Sequence, residues 1–332
     1  AIDQLIKNGL VVDGTGAPGR HADIGIKNGR ITHIGTVDEP ATEVIDASDC
    51  VVAPGFIDPH THYDAQICWD SAVTPSSWHG VTSVVMGNCG VGIAPCLPES
   101  REIAMRDLVN VEGIPFDVLN TGITWDWETF PEFMDAAQAR NPAVNLAFLA
   151  PLTPFRHYVM GEESMDRAAT PEEIKKIAGL IGEAIDAGAF GFSTTILNQH
   201  VGYEGRPLAC RNADDAELTA YARVLKARGK GTIEIAATKK LGVIDDDQYA
   251  LLDMLPTESC RPVTFLGLVD RDDIPNAAQD TLEKTAPLLE RGVRPQILPL
   301  PLTREFSMRN PFSFAAFPSW NQIFVDQSKE GQ

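Results

Sequence analysis

Apolar and polar positions change rhythm near residue 50. Before it they alternate in short runs, at 5–12, 23–27 and 31–35, separated by Asp13-Gly14-Thr15-Gly16, Pro18-Gly19 and Asn28-Gly29. An Asn-Gly pair between alternating runs predicts a hairpin with a type I′ turn, because both central residues need positive φ. Residues 1–50 are therefore expected to fold as a small β module. From residue 51 onward, apolar runs of strand length fall at 51–57, 81–86, 144–150, 190–194, 232–236, 263–269 and 296–300. Between them, residues 171–187, 214–228, 245–255 and 276–291 carry apolar side chains every three or four positions. This alternation predicts a parallel sheet with crossover helices and places a second domain at 51–332. Thr170-Pro171-Glu172-Glu173 marks a helix start: a cap residue, a first-turn proline, and carboxylates at the positive end of the helix dipole.

Seven strands in this rhythm fit an open doubly wound sheet or an α/β (β/α)8 TIM-type barrel lacking its eighth strand. Gly87-Asn88-Cys89-Gly90-Val91-Gly92 follows a strand but departs from G-x-G-x-x-G and runs on to Pro95 and Pro98, which disfavours a dinucleotide fold. Composition adds exclusions. The 332 residues are 44% hydrophobic and carry a net charge of −19. So acidic a chain repels phosphate backbones and anionic lipid, and neither nucleic acid nor a membrane is expected as partner. No apolar run approaches the roughly eighteen residues of a spanning helix, and residues 1–12 lack the regions of a secretory signal, so a cytoplasmic location is expected. Six cysteines in so long a chain do not form a disulfide framework, and an unusual one points to metal binding or catalysis. The chain opens on Ala1 rather than Met, which leaves open that it is a fragment of a longer enzyme.

The sharpest chemical feature is Pro54-Gly55-Phe56-Ile57-Asp58-Pro59-His60-Thr61-His62. Side chains two apart in an extended segment point the same way, so His60 and His62 can offer two imidazoles to one ion at the end of the first barrel-type strand. Cys89 ends the next strand. An isolated cysteine there reads as a small buried side chain, but beside two histidines its thiolate completes an N/S donor set suited to zinc. Binding at such a site is expected to weaken once the pH falls below the histidine range. His157, after Pro154-Phe155-Arg156, and His200 with Tyr203 follow the third and fourth strands and are candidate substrate contacts; the plain reading of each is an ordinary loop side chain. Trp125, Trp127 and Phe130 with Glu128 read as the packing face of an inserted helical hairpin. Ser193 lacks the G-x-S-x-G elbow of a serine hydrolase.

Several segments together carry a resemblance. Leu5-Ile6-Lys7-Asn8-Gly9 with Asp13-Gly14-Thr15-Gly16, the 54–62 segment, and His79-Gly80-Val81-Thr82-Ser83-Val84-Val85-Met86-Gly87-Asn88-Cys89-Gly90-Val91 resemble the metal-dependent amidohydrolases of the D-aminoacylase (N-acyl-D-amino-acid deacylase) branch. Tyr158-Val159-Met160-Gly161 and Gly188-Ala189-Phe190-Gly191-Phe192-Ser193-Thr194 extend the likeness. It implies a (β/α)8 barrel with a flanking β-sandwich built from both chain ends, and a site of one or two zinc ions. The implied ligands are the histidine pair of the first strand, a bridging cysteine in Gly-Asn-Cys-Gly, histidines after the fifth and sixth strands, and an Asp after the eighth. His60, His62 and Cys89 match that pattern. No histidine follows His200, and the fifth strand reads Thr232-Ile233-Glu234-Ile235-Ala236. Glu234, Lys239 or Asp270 are the candidate replacements, and the eighth strand with its Asp is expected beyond Gln332.

The resemblance implies an amidohydrolase acting on carbon–nitrogen bonds other than peptide bonds, with a small N-acyl amino acid or related amide as substrate. No catalytic proton acceptor is assigned. Two other readings stand beside it: a degenerate barrel that binds metal or a small ligand without hydrolysis, and a fragment whose complete form is the enzyme. The oligomeric state is open, a homo-oligomer included.

Overall fold

The computed structural model describes residues 1–298 and 318–320. It divides into compact units at Ala1–Phe56 and Ile57–Gln332. In the first, β1 (Ile2–Val11), β2 (Arg20–Lys27), β3 (Arg30–Gly35) and β4 (Ala41–Asp46) form a sheet in the order β3-β2-β1-β4, and a short β5 (Val51–Val52) also pairs with β1. Asn28 and Gly29 take φ of 50° and 69°, the two positive values that the Asn-Gly hairpin calls for. Ile2, Leu5 and Val37 bury one face.

The apolar run at 51–57 does not form one strand. Pro54-Gly55 interrupts it: Val51 and Val52 stay in the first sheet, parallel to β1, and only β6 (Phe56–Asp58) enters the second.

β6 opens a seven-stranded sheet that runs in sequence order. It continues through β7 (Val81–Met86), an insertion of α1 (Arg101–Glu112), α2 (Phe116–Gly122) and α3 (Phe130–Ala139), and β8 (Asn145–Pro151). Next come α4 (Leu152–Met160), α5 (Pro171–Ala187), β9 (Gly191–Thr195), α6 (Asp215–Arg228), β10 (Thr232–Ala236) and α7 (Asp246–Ser259). β11 (Val263–Leu268), α8 (Ala277–Thr285) and β12 (Val293–Ile297) follow. The registered pairs from β7 to β12 are all parallel. The last strand begins at Val293, earlier than the expected 296–300, whose final two residues lie outside the described ones.

The helices cover the sheet for the reason their spacing suggests. Ile177, Ile181 and Ile185 of α5 are fully buried with Leu225 of α6, Leu252 of α7, and the strand residues Phe192, Ile233 and Phe265. Each such side chain contributes about 1.5–3 kcal/mol of burial. At the start of α5, Thr170 Oγ1 accepts the Glu173 N–H at 3.3 Å, while the Glu173 carboxylate accepts the Thr170 N–H at 2.8 Å. In the insertion, Trp127, Phe130 and Phe133 are buried, and the Trp127 indole donates to the Ile93 carbonyl at 3.2 Å. No helix among the described residues is long and apolar enough to cross a membrane.

A buried charge pair ties α4 to α6. The Arg156 guanidinium pairs with Glu217, both wholly inaccessible, and donates to the carbonyls of Arg167 at 2.7 Å and Ser164 at 3.3 Å. Glu217 in turn accepts from the Ala169 N–H at 2.8 Å and the Tyr221 hydroxyl at 2.9 Å.

Candidate metal centre

β6 delivers His60 and His62 just beyond its end, and β7 delivers Cys89. One ligand atom from each of the three lies within 4.8 Å of the others. The Cys89 sulfur stands 3.4 Å from His60 Nε2. Two ligands held at about 2.05 and 2.3 Å by a tetrahedral ion would stand about 3.5 Å apart, so this pair is spaced for coordination without rearrangement. The chemistry of the donors fits as well, since two imidazoles and a sulfur form a set that suits zinc.

The turn that carries Cys89 is held from several sides. Cys89 takes a left-handed backbone, φ 55° and ψ 17°, uncommon for a residue with a Cβ. Such a conformation persists where its surroundings fix it. Here the Cys89 N–H donates to Glu234 Oε2 at 2.7 Å, and the Gly90 N–H to Ser193 Oγ at 2.9 Å. The Asn88 amide donates to the Val85 carbonyl at 2.9 Å, and the Gly87 N–H to Asp64 at 3.2 Å. Gly87 itself, at φ 78°, passes so close to β8 that a Cβ would stand 2.2 Å from the Leu149 carbonyl oxygen.

His60 is oriented by a residue that sequence patterning placed only inside a strand. Its Nδ1 lies 2.7 Å from Gln296 Oε1, and the Gln296 amide nitrogen donates to Thr264 Oγ1 at 3.2 Å. Nδ1 therefore carries the proton, and Nε2 presents its lone pair toward Cys89. Gln296→Leu is expected to weaken metal binding about 10–100-fold while leaving the thermal midpoint within a few degrees, checked by competition with a chromophoric chelator and by thermal unfolding. Unchanged affinity would sink the orienting role of Gln296. His62 Nε2 lies 3.5 Å from a Glu112 carboxylate oxygen of α1.

Burial sets the protonation of the cluster. Desolvation, and then the neighbouring His62, lower His60 to about 4, so its ring is neutral at physiological pH. The Cys89 thiol is pushed well above its ordinary value, first by burial and then by the Glu234 carboxylate. Glu234 is raised to about 8 by burial against the pull of the Cys89 N–H, and Asp64 to about 7 by burial.

The three other candidates gather elsewhere in the contact network. His157 is 4% exposed; its Nε2 lies 3.3 Å from Asp107 Oδ2 and its Nδ1 2.8 Å from Ser164 Oγ. Asp107 Oδ1 also accepts the Tyr203 N–H at 2.8 Å, so His157 and Tyr203 share one carboxylate. His200 Nδ1 sits 2.9 Å from Thr195 Oγ1. Of the replacements weighed for the absent histidines, Lys239 pairs with Asp247 at 3.9 Å and Asp270 accepts the Ala278 N–H at 3.4 Å. Glu234 alone of these contacts both His60 and Cys89.

The D-aminoacylase of Alcaligenes xylosoxydans xylosoxydans is 39% identical over 228 residues, covering 68% of this chain and 43% of that protein. The N-acyl-D-glutamate deacylase of the same organism is 34% identical over 230 residues, 69% of this chain and 42% of that one. The matched segments thus span less than half the length of these relatives. A D-aminoacylase crystal structure superposes with a TM-score of 0.74 at 28% identity over 90% of this chain and 59% of the other. The N-acyl-D-glutamate deacylase of Bordetella bronchiseptica, complexed with zinc and a phosphonate mimic of the tetrahedral intermediate, gives 0.68 over the same shares. Residues 1–56 match the N-terminal domain of the urease alpha-subunit. Residues 43–315, which include the His60, His62 and Cys89 cluster and both strands that deliver it, match the amidohydrolase family model, and the chain belongs to that family.

Proposed function

We propose that the protein contributes the metal-binding part of a hydrolase that cleaves the amide bond of N-acyl amino acids, with D-amino acids as the preferred class. The observation that carries this reading is the meeting of His60, His62 and Cys89 donor atoms within 4.8 Å at the ends of adjacent strands. These three residues would hold zinc, as one or two ions. When bound, the metal supplies Lewis-acid polarisation of the scissile carbonyl and acidification of water near neutral pH. The chain's own groups prepare for it. Gln296 faces His60 Nδ1, Glu234 fixes the Cys89 backbone, and burial keeps the Cys89 thiol out of bulk water while the two imidazoles are half-buried. His157 of α4, and His200 and Tyr203 from the segment between β9 and α6, remain our proposed substrate contacts. The architecture we propose is a (β/α)8-type barrel at 51–332, with the module at 1–50 as part of a β-sandwich. We propose the cytoplasm as its setting, as the sequence leads one to expect.

The test is turnover of a panel of N-acyl-D- and N-acyl-L-amino acids by the protein loaded with zinc, stripped by chelator and reloaded. The expected result is D-selective release of free amino acid that chelation abolishes and zinc restores. Stoichiometric zinc binding with no hydrolysis of any amide would overturn the proposal.

A further inference from the structure

Glu234 stands between Ile233 and Ile235 in the middle of β10, a strand otherwise built for burial, and is 1% exposed. One carboxylate oxygen, Oε2, accepts the Cys89 N–H. The other, Oε1, has no hydrogen-bond partner among the described residues. It lies 3.9 Å from His60 Nδ1, a nitrogen already committed to Gln296. A buried carboxylate in this state is costly unless something compensates its charge. Protonation, toward which burial pushes Glu234, removes the charge but leaves Oε1 without a partner among the described residues. Cys89 presents the same difficulty one residue away: its sulfur is buried, and as a thiolate it would be a second uncompensated negative charge.

One divalent cation answers both. A thiolate and a carboxylate together carry two negative charges, and the two imidazoles are neutral ligands, so a single doubly charged ion leaves the pocket neutral. Glu234 lies outside the three-residue cluster, but the last torsion of a glutamate is broad and soft, so Oε1 can turn inward without moving β10. We propose that Glu234, through Oε1, is a further ligand of the cation held by His60, His62 and Cys89, a carboxylate from within the strand after which the resemblance implies a histidine. This rests on the reading of the cluster as a metal site, and it gives the ion a set of two nitrogens, one sulfur and one oxygen.

Cobalt(II) titration of the full chain tests it without recourse to activity. The near-ultraviolet thiolate-to-cobalt charge-transfer band reports Cys89, and competition with a chromophoric chelator gives the affinity. Glu234→Gln, which keeps the shape and an acceptor for the Cys89 N–H, is expected to retain the band and bind cobalt about 100-fold more weakly. Glu234→His is expected to bind within about tenfold of the unaltered chain, since imidazole is an equivalent ligand. If Glu234→Gln fails to fold by circular dichroism, Glu234→His decides: wild-type-like affinity supports the assignment, and a folded variant that binds as weakly as Cys89→Ser overturns it. Glu234→Gln with unchanged affinity and spectrum also overturns it. An unaltered chain that binds no cobalt overturns the metal site itself, an outcome distinct from the loss of Glu234 as a ligand.

Discussion

Cys89→Ser is expected to lower zinc or cobalt affinity by about 10²–10³-fold and to erase the thiolate-to-cobalt band. The size follows from the apparent binding free energy of structural zinc sites, about 10–16 kcal/mol, which shared among four ligands assigns each about 3–4 kcal/mol. The same substitution should change the pH dependence. Because the thiol of the metal-free protein is raised well above its ordinary value by burial and then by Glu234, it is protonated at neutral pH, and metal entry must expel that proton. Affinity therefore falls as pH falls, about tenfold for each unit of acidification from this one group. His60, held at about 4, adds no competing proton until well into the acid range, so the decline sets in above the histidine range rather than below it. Titrations between pH 6 and 8 would show the slope in the unaltered chain and a shallower one in Cys89→Ser. A slope of zero in the former would mean that the thiolate does not bind the ion.

That His60, His62 and Cys89 meet owes much to local geometry. His60 and His62 are two apart beyond a strand, and Cys89 follows the next strand in order, so neighbouring parallel strands bring them together whatever the rest of the chain does. Glu234 was also legible, as a single carboxylate inside an apolar strand, although only the structure joins it to Cys89 across a large separation in sequence. Gln296 gave no signal, because a glutamine in a strand is ordinary and its role depends on Thr264 and on a histidine at the far end of the sheet. The cap and spacing give Pro171–Ala187 its bounds and place α6 to within a residue, whereas α7 runs on to Ser259, past the expected 255. α4 was missed because Pro151 and Pro154 read as loop residues; Pro154 falls in the first turn, where the missing N–H has no helical partner to lose. The break at Pro54-Gly55 was visible too, but the apolar run around it outweighed it.

The largest effect on stability is expected at the buried pair between α4 and α6. Glu217→Ala would remove the partner of Arg156 and also the acceptor for the Ala169 N–H and the Tyr221 hydroxyl, while leaving the guanidinium at zero exposure. Breaking one side of such a pair costs about 3–5 kcal/mol, a large share of the roughly 5–15 kcal/mol that holds a domain together. The variant should unfold at markedly lower denaturant concentration, read by urea titration with circular dichroism. Removing both charges differs in kind. Arg156→Met with Glu217→Leu trades two desolvated ions for apolar volume, an exchange often neutral or stabilising, although here the Ala169 N–H, the Tyr221 hydroxyl and the Arg167 carbonyl lose partners at about 1–3 kcal/mol for each that stays buried and unsatisfied, while the Ser164 carbonyl keeps the Asn212 amide. The double variant is therefore expected to sit between the single variant and the unaltered chain. If it proved less stable than Glu217→Ala, the pair would be holding α4 and α6 chiefly through its hydrogen bonds to the backbone, and the charge argument for this strut would fail.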